Sequence, residues 1–563
     1  MKLRGLTAVS ILGICPLIAP HDASAGGLFL PGSGAISTSR AGAAVASSDD
    51  GEAISINPAG MAKVQGTVVT VSAAALSYSM EFTRSGTYDP IAAEDFAYEG
   101  TAYPTVQNSS KPPIGIGSYQ PVPVIAIVSD LGGRVKGLHV GAGLYAPNAY
   151  PFRDMRKING VEYQFNGDFA APPPPSRYDI LEQEAAVILP SVAASYRITP
   201  QLDVGARLSW GIANLKSTVA LWGNPGNLEE YVKADAELTA EAKDNFVPGW
   251  GLGLTYRPTP QIELGANYNS ALVVQATGTA TSIQGPAVTL NGIPISIGPT
   301  AAGTARCAEG GTFDAQSACV GFQLPMSATV GGRYKFLDST GAQKGDIELD
   351  VGWEHWGKRC EVDNVGLYVD PSCTSPGQYR VVVDAAAYVD MNADGMLTED
   401  DIALTLKDNF VEHRLKDTFS FRLGGSYNIP LGATADGKAV IVRGGVGYDT
   451  RAAEEGWLRA DIDGAARLTT TLGAAYKLRR LEIDAGFGFI YEGTNTNPGT
   501  CNPTATSIGC TGDGATENPI EDRQGPDPIN PVITPANQFE NPVNQGTFKS
   551  HYLLFMLGVS TWF

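Results

Sequence analysis

A chain of 563 residues with 66 Gly, 22 Tyr and 19 Phe, 17% charged residues and a mean hydropathy of −0.05 is neither oily throughout nor densely charged. Its formal net charge of −19 excludes a nucleic-acid partner, because neutralising phosphates takes clustered Lys and Arg. Length by itself admits either several soluble domains or one large sheet closed into a cylinder.

Residues 1–25 read as a secretory signal. Lys2 and Arg4 precede the apolar run 6–20, and Ala23-Ser24-Ala25 is a small-residue cleavage site, so the exported chain is expected to start at Gly26. No later run reaches about 18 apolar residues, which excludes a helical membrane span and leaves the weaker ten-residue alternation of a barrel. Residues 26–65 begin with Leu28, Phe29 and Leu30. From Gly32 to Lys63 they are almost entirely Gly, Ala, Ser and short polar residues, with turn signals at Asp49-Asp50-Gly51 and Asn57-Pro58-Ala59-Gly60. Small side chains let backbone pack in a confined space. Lying directly before barrel-type strands, this stretch is expected to be a plug, or hatch, in the lumen; the alternative is a disordered linker.

From residue 66 onward the pattern has period two. Ile347, Leu349, Val351 and Trp353 alternate with Asp346, Glu348, Asp350 and Gly352; Ile262 and Leu264 alternate with Glu263 and Gly265; Leu481 and Ile483 alternate with Glu482 and Asp484. Fourteen such segments lie near 67–82, 120–130, 136–149, 183–197, 201–217, 246–257, 261–278, 324–337, 345–359, 417–430, 438–449, 467–478, 480–493 and 548–563. A soluble sandwich with one wet face would alternate in the same way. The connections favour a barrel, because short turns such as Ile198-Thr199-Pro200 alternate with much longer links, as short periplasmic turns and long outside loops do. A hairpin repeat agrees: 196–206 returns as 256–266, more loosely from Tyr476, each time with Tyr before the short turn, where an inner aromatic girdle belongs. The fold expected for 66–563 is therefore all-β, a transmembrane antiparallel barrel of the bacterial outer membrane ending on Trp562-Phe563, the aromatic end favoured by the barrel-assembly machinery.

Cys15 leaves with the signal, and six cysteines remain in three near pairs: Cys307 with Cys319, Cys360 with Cys373, and Cys501 with Cys510. Export and an even number indicate disulfides. Local pairing closes short loops and is preferred, although six cysteines allow fifteen connectivities. None has metal-site spacing. A Ca²⁺ site is expected at 390–401, where Asp390, Asn392 and Asp394 occupy positions 1, 3 and 5, Gly395 gives the tight turn, Met396 offers its carbonyl, Thr398 stands at position 9 and Asp401 at position 12. The alternative is an acidic surface turn. His139, His355, His413 and His551 have no neighbouring Ser or Asp pattern, which weighs against an enzyme such as a barrel lipase.

The start Gly26-Gly27-Leu28-Phe29, the segment Ser39-Arg40-Ala41-Gly42 and above all Asn57-Pro58-Ala59 resemble the FadL family of outer-membrane long-chain fatty-acid transporters. Leu324-Pro325, Lys416-Asp417 and the terminal Phe563 add to a similarity that spans nearly the whole exported length. The resemblance implies a monomeric fourteen-stranded barrel plugged by a hatch. It also implies passive uptake, with a long-chain fatty acid or other hydrophobic ligand caught among the outer loops, held between wall and hatch, and released sideways into outer-membrane lipid through a kink in the third strand. An adhesive or structural barrel would share the strands but has no reason for a hatch. Asn57, Pro58 and Ala59 would then form a rigid hatch turn. Gly141, Gly143 and Pro147 would mark the kink, or a simple strand end. Leu28, Phe29 and Leu30 would touch the ligand, or serve as hatch core. The resemblance places basic residues close to Lys216 and Lys416, which would pair with a ligand carboxylate or stand as solvated lysines at loop bases. Longer outside loops and the acidic loop at 390–401 depart from the family pattern.

Overall fold

Alternating residues place apolar side chains on one face of a strand and polar ones on the other, and a sheet built so has an oily outside only if it closes around a polar interior. In a computed structural model of the protein it does close. The structure describes residues 28–90, 96–147, 149–165, 171–221, 230–285, 289–290, 293–300, 303–307, 311–312, 314–361, 370, 373–389, 402–406, 409–432, 437–462, 464–497 and 543–563. The barrel strands, numbered in chain order, are β1 (Thr67–Arg84), β2 (Gln120–Ser129), β3 (Leu138–Tyr145), β4 (Glu182–Arg197), β5 (Leu202–Leu221), β6 (Ala236–Tyr256), β7 (Ile262–Asn269), β8 (Ser327–Leu337), β9 (Gln343–Glu354), β10 (Thr418–Pro430), β11 (Ala439–Asp449), β12 (Arg467–Lys477), β13 (Leu481–Asn497) and β14 (Gly546–Trp562).

Each pairs antiparallel with the next, and β1 pairs with β14 from Val68↔Trp562 to Arg84↔Gly546, closing a barrel of fourteen strands. The predicted segments correspond one to one with these strands. Parity follows the pattern: Leu208 and Trp210 of β5 are exposed to lipid, whereas Asp203 and Arg207 are buried inward. Tyr196, Tyr256 and Tyr476 are exposed on the outside beside the short turns, as a girdle requires.

At the opposite end the long connections carry the sheet above the rim. The upper part of β6 pairs with a strand at Leu272–Gln284, which pairs with Gln316–Leu324, and this in turn with Gln378–Val389. The segment expected as one strand at 261–278 is thus two, broken at Ser270 and Ala271. The strand expected from 324 begins after Pro325, which has no N–H for a ladder. Disulfides Cys307–Cys319 and Cys360–Cys373 brace these outer elements, the local pairing preferred from sequence. Cys501, Cys510, the signal at 1–25 and the acidic loop from Asp390 to Asp401 lie outside the described residues.

The third strand is shorter than expected, running over 138–145 instead of 136–149. Gly141 and Gly143 lie inside its regular pairing with β2 and β4, and the strand stops before Ala146-Pro147. Among the described residues beyond Tyr145, none pairs with β2 or β4 until Arg153–Asp154 pairs with Glu182–Gln183. Pro121 and Pro123 of β2, at this interruption, bring no N–H groups to it.

Residues 30–64 contain two single-turn helices, α1 (Ala35–Thr38) and α2 (Ala53–Ile56), followed by a 3₁₀ turn over Pro58–Lys63. They abut glycines on strands all around the wall, with backbone at Gly205, Gly253, Gly265, Gly424 and Gly445 and with side chains at Gly331, Gly473 and Gly558. A Cβ at Gly265 would lie 2.5 Å from Val45 O, and one at Gly424 would lie 2.5 Å from Arg40 O. A segment in contact with strands on every side of a cylinder lies inside it.

Candidate functional site

Two sets of polar contacts hold the N-terminal segment to the wall. In the first, Asn57 caps the 3₁₀ turn, its Oδ1 accepting from Ala59 N–H at 3.1 Å, while its Nδ2 donates to Val45 O at 2.7 Å and to Leu254 O of β6 at 3.1 Å. Pro58 and Ala59 rest on Gly205 and Gly253, where side chains would collide with them. The second set involves the acids of β9 that alternate with its apolar residues. Arg40 reaches Asp346 and Glu348 at 2.9 and 3.0 Å, Ala44 and Val45 N–H donate to Asp350 at 2.8 and 2.9 Å, and Ala46 N–H donates to Glu348 at 2.6 Å. Sequence reasoning recorded this polar alternation without assigning it a role. The signal was there, since three acids on one strand face with Arg40 in a short-residue segment call for one another in a lumen.

Between the segment and the wall is a cavity of about 230 Å³. Phe29 and Leu30 line it from the N-terminal side; Leu189, Leu272, Leu324, Trp250 and Trp353 line it from the wall. Ala146 and Pro147 also line it, so it reaches the point where β3 stops. Phe29 packs against Trp356 with ring centroids 5.9 Å apart, its carbonyl accepts from Arg467 Nη1 at 3.0 Å, and Leu28 packs against the neighbouring apolar clusters.

The two lysines do not face this cavity. Lys216 sits 3.6 Å from Glu182 and lines a second cavity, of about 750 Å³, with Gln120, Phe152 and Leu215; Lys416 is exposed at the base of an outer connection. The cations lining the cavity are Arg207 and Arg422. Arg422 is held by Asp449 at 2.8 Å, whereas Arg207 donates to Ile54 O, Ser55 O and Asn269 Oδ1 at 2.8, 3.0 and 2.8 Å. Both had been missed, although Arg207 belongs to the inward parity set of β5. His355 and His413, isolated in sequence, meet Asp417 and Asp461 at 2.9 and 2.7 Å through the fold. Burial pushes the Asp461 carboxyl up, but His413 and Arg459 outweigh it and hold the group well below the usual range. Neither pair lines the cavity, although Asp417 accepts from Trp353 Nε1 at 3.0 Å.

Taken together, the closed wall, short turns at one end, an internal N-terminal segment and an apolar cavity beside it define an outer-membrane β-barrel of the hydrophobic-compound transport class. The chain belongs to the outer membrane protein transport family (OMPP1/FadL/TodX), whose family model matches residues 17–506. Among solved structures it is similar to a Pseudomonas aeruginosa FadL homologue, with 13% identity, covering 96% of this chain and 100% of that one, at a TM-score of 0.61. It is also similar to the toluene transporters TbuX of Ralstonia pickettii and TodX of P. putida, each with 15% identity, covering 95% of this chain and 99% of theirs, at a TM-score of 0.53. At these identities the likeness concerns the fold. No curated protein matches the chain.

Proposed function

We propose that the protein takes up long-chain fatty acids or similarly apolar molecules passively, with residues 26–65 as the hatch and the interruption beside β3 as a lateral exit. One observation carries this reading: the cavity touches Phe29 and Leu30 on one side and Ala146 and Pro147, where the wall ladder lapses, on the other. An exit towards lipid keeps the cargo out of water, worth about 0.8 kcal/mol per methylene, or roughly 11 kcal/mol for a chain of about fourteen methylenes. A straight path to the periplasm forfeits that gain. Nothing in this route needs an energy source or a reacting group. Tyr145 in the lining, together with the likeness to toluene transporters, favours a neutral aromatic compound as the second candidate. The acidic loop at 390–401 adds a structural Ca²⁺ to the proposal, supported by its ligand spacing.

Solvent extraction of the purified protein followed by lipid analysis tests the reading. Fatty acid recovered at up to one molecule per chain supports it, and recovery of no apolar compound would refute it. Ala146→Trp should lower uptake of labelled hexadecanoate several-fold in a correctly folded barrel, because the ring would fill the exit.

A further inference from the structure

The outer halves of β4, β5 and β6 have two unlike faces. Val187, Leu215 and Ala242 belong to the apolar cluster that Phe29 joins, so they face the lumen. Glu184, Lys216, Glu241 and Lys243 have the opposite parity on the same strands and face away from it. They form a row, because Lys216 is paired with Glu184 on one side and with Glu241 on the other, and Thr277 and Thr279 of the strand at Leu272–Gln284 extend it. All six line the cavity of about 750 Å³. Lys216 stands 3.6 Å from Glu182, whereas Lys243, Glu184 and Glu241 make no ion pair among the described residues.

The row lies at a definite depth. Outward Trp210 and Phe246 pack edge to face with ring centroids 5.2 Å apart and mark the outer end of the apolar band, whose inner end carries Tyr196 and Tyr256. Lys216 follows Trp210 by about 20 Å along β5, which sets the row level with lipid head groups and beyond the acyl chains. Pro113 and Ile114, in the connection before β2, close one side of the cavity. This connection lies against the lipid face of the wall: Ser118 Oγ is 2.8 Å from Ser77 Oγ of β1, and the Tyr119 ring meets outward Phe555 of β14 edge-on at 5.3 Å. It presents Ile114, 74% exposed, and Ile116, 87% exposed, and no large apolar side chain among the described residues is more exposed than these two. An apolar tip beside a charged groove fits a molecule with an ionic head and an oily body.

We infer that this outward groove binds a phosphate-bearing lipid of the outer leaflet: Lys216 and Lys243 take its phosphates, Glu184 and Glu241 take the divalent cations that accompany them, and Ile114 and Ile116 rest among its acyl chains. A purely basic groove would hold any anion, whereas a row of both signs selects a partner that brings both. The groove reaches Gln120 and Phe152, beside the place where β3 stops, so a lipid seated there borders that part of the wall. The inference is independent of what the inner cavity carries.

The test counts lipids retained by the full chain in detergent with Mg²⁺, by native mass spectrometry, and compares a diphosphorylated, multiply acylated glucosamine disaccharide (lipid A) with phosphatidylcholine. The intact protein is expected to hold lipid A about tenfold or more tightly. Lys216→Gln combined with Lys243→Gln should weaken lipid A about thirtyfold while leaving phosphatidylcholine within roughly twofold, and Ile114→Ser combined with Ile116→Ser should weaken both lipids. Chelating Mg²⁺ should erase most of the preference, and a preference that survives chelation overturns the part given to Glu184 and Glu241. The comparison in the intact protein needs no variant and stays decisive if a variant fails to assemble. Equal retention of the two lipids, or unchanged retention of lipid A in the lysine variant, overturns the assignment, and so does a second copy of the chain covering this face in place of lipid.

Discussion

Replacing Arg40 by Ala removes the cation that joins the internal segment to β9. Its side chain is 4% exposed and both acidic partners are fully enclosed, so the pair is shielded from water. Asp346 would keep Arg333, whose Nε stands 2.7 Å away. The charge left behind is therefore chiefly that of Glu348, which retains the Ala46 and Ser47 N–H groups at 2.6 and 3.2 Å. Stripping one partner from a buried pair costs about 3–5 kcal/mol, and with Asp346 still satisfied the lower end applies. About 3 kcal/mol corresponds to roughly 150-fold in the equilibrium between seated and displaced hatch. The wall should still assemble, because the ladders of β9 with β8 and β10 are backbone bonds independent of Arg40. Conductance of single barrels in planar bilayers reports the equilibrium: Arg40→Ala should open on the order of 100 times more often than the parent. Adding Glu348→Gln should restore most of the closure by removing the stranded charge. An open probability within about threefold of the parent would refute the view that this ion pair seats the hatch.

Three further outcomes follow from the same geometry. Asn57→Ala loses a cap and a bond to β6, together about 1–2 kcal/mol, and should slow hexadecanoate uptake while heat-modifiable gel mobility shows a folded barrel; normal uptake would count against the gate role. Cysteines replacing Phe29 and Trp356, whose rings pack together, should be joined less readily by a bifunctional maleimide when hexadecanoate saturates the protein, and indifference to ligand would leave these residues a packing role. Calcium should bind saturably at about 10⁻⁴ to 10⁻³ M and be lost in the combined Asp390→Ala and Asp394→Ala variant; identical titrations would end that proposal.

The wall was legible because alternation is a local property. Segments such as 345–359 and 480–493 announce both face and register without reference to anything distant. Parity could also have corrected the choice of Lys216. Counting in twos from inward Asp203 gives Gly205 and Arg207, which faces the internal segment, whereas Lys216 falls on the other parity and lines a separate cavity. What could not be read was non-local. The sheet above the rim joins 272–284, 316–324 and 378–389 across long gaps in sequence, and the interruption beside β3 exists only because β2 and β4 continue past the residue where β3 stops. The contacts of Asn57 and Arg40 likewise depend on partners about 200 to 300 positions away.

The ring of glycines beneath the internal segment also limits how the wall can change. The segment is tethered to β1 through Gln65 and Gly66, and β1 is also one side of the closing seam with β14. A Cβ at Gly205, Gly265, Gly424 or Gly445 would lie 2.5 Å or less from its backbone. A side chain gained at any of these positions would have to be matched by a shift of the segment, so wall and segment can be altered only together.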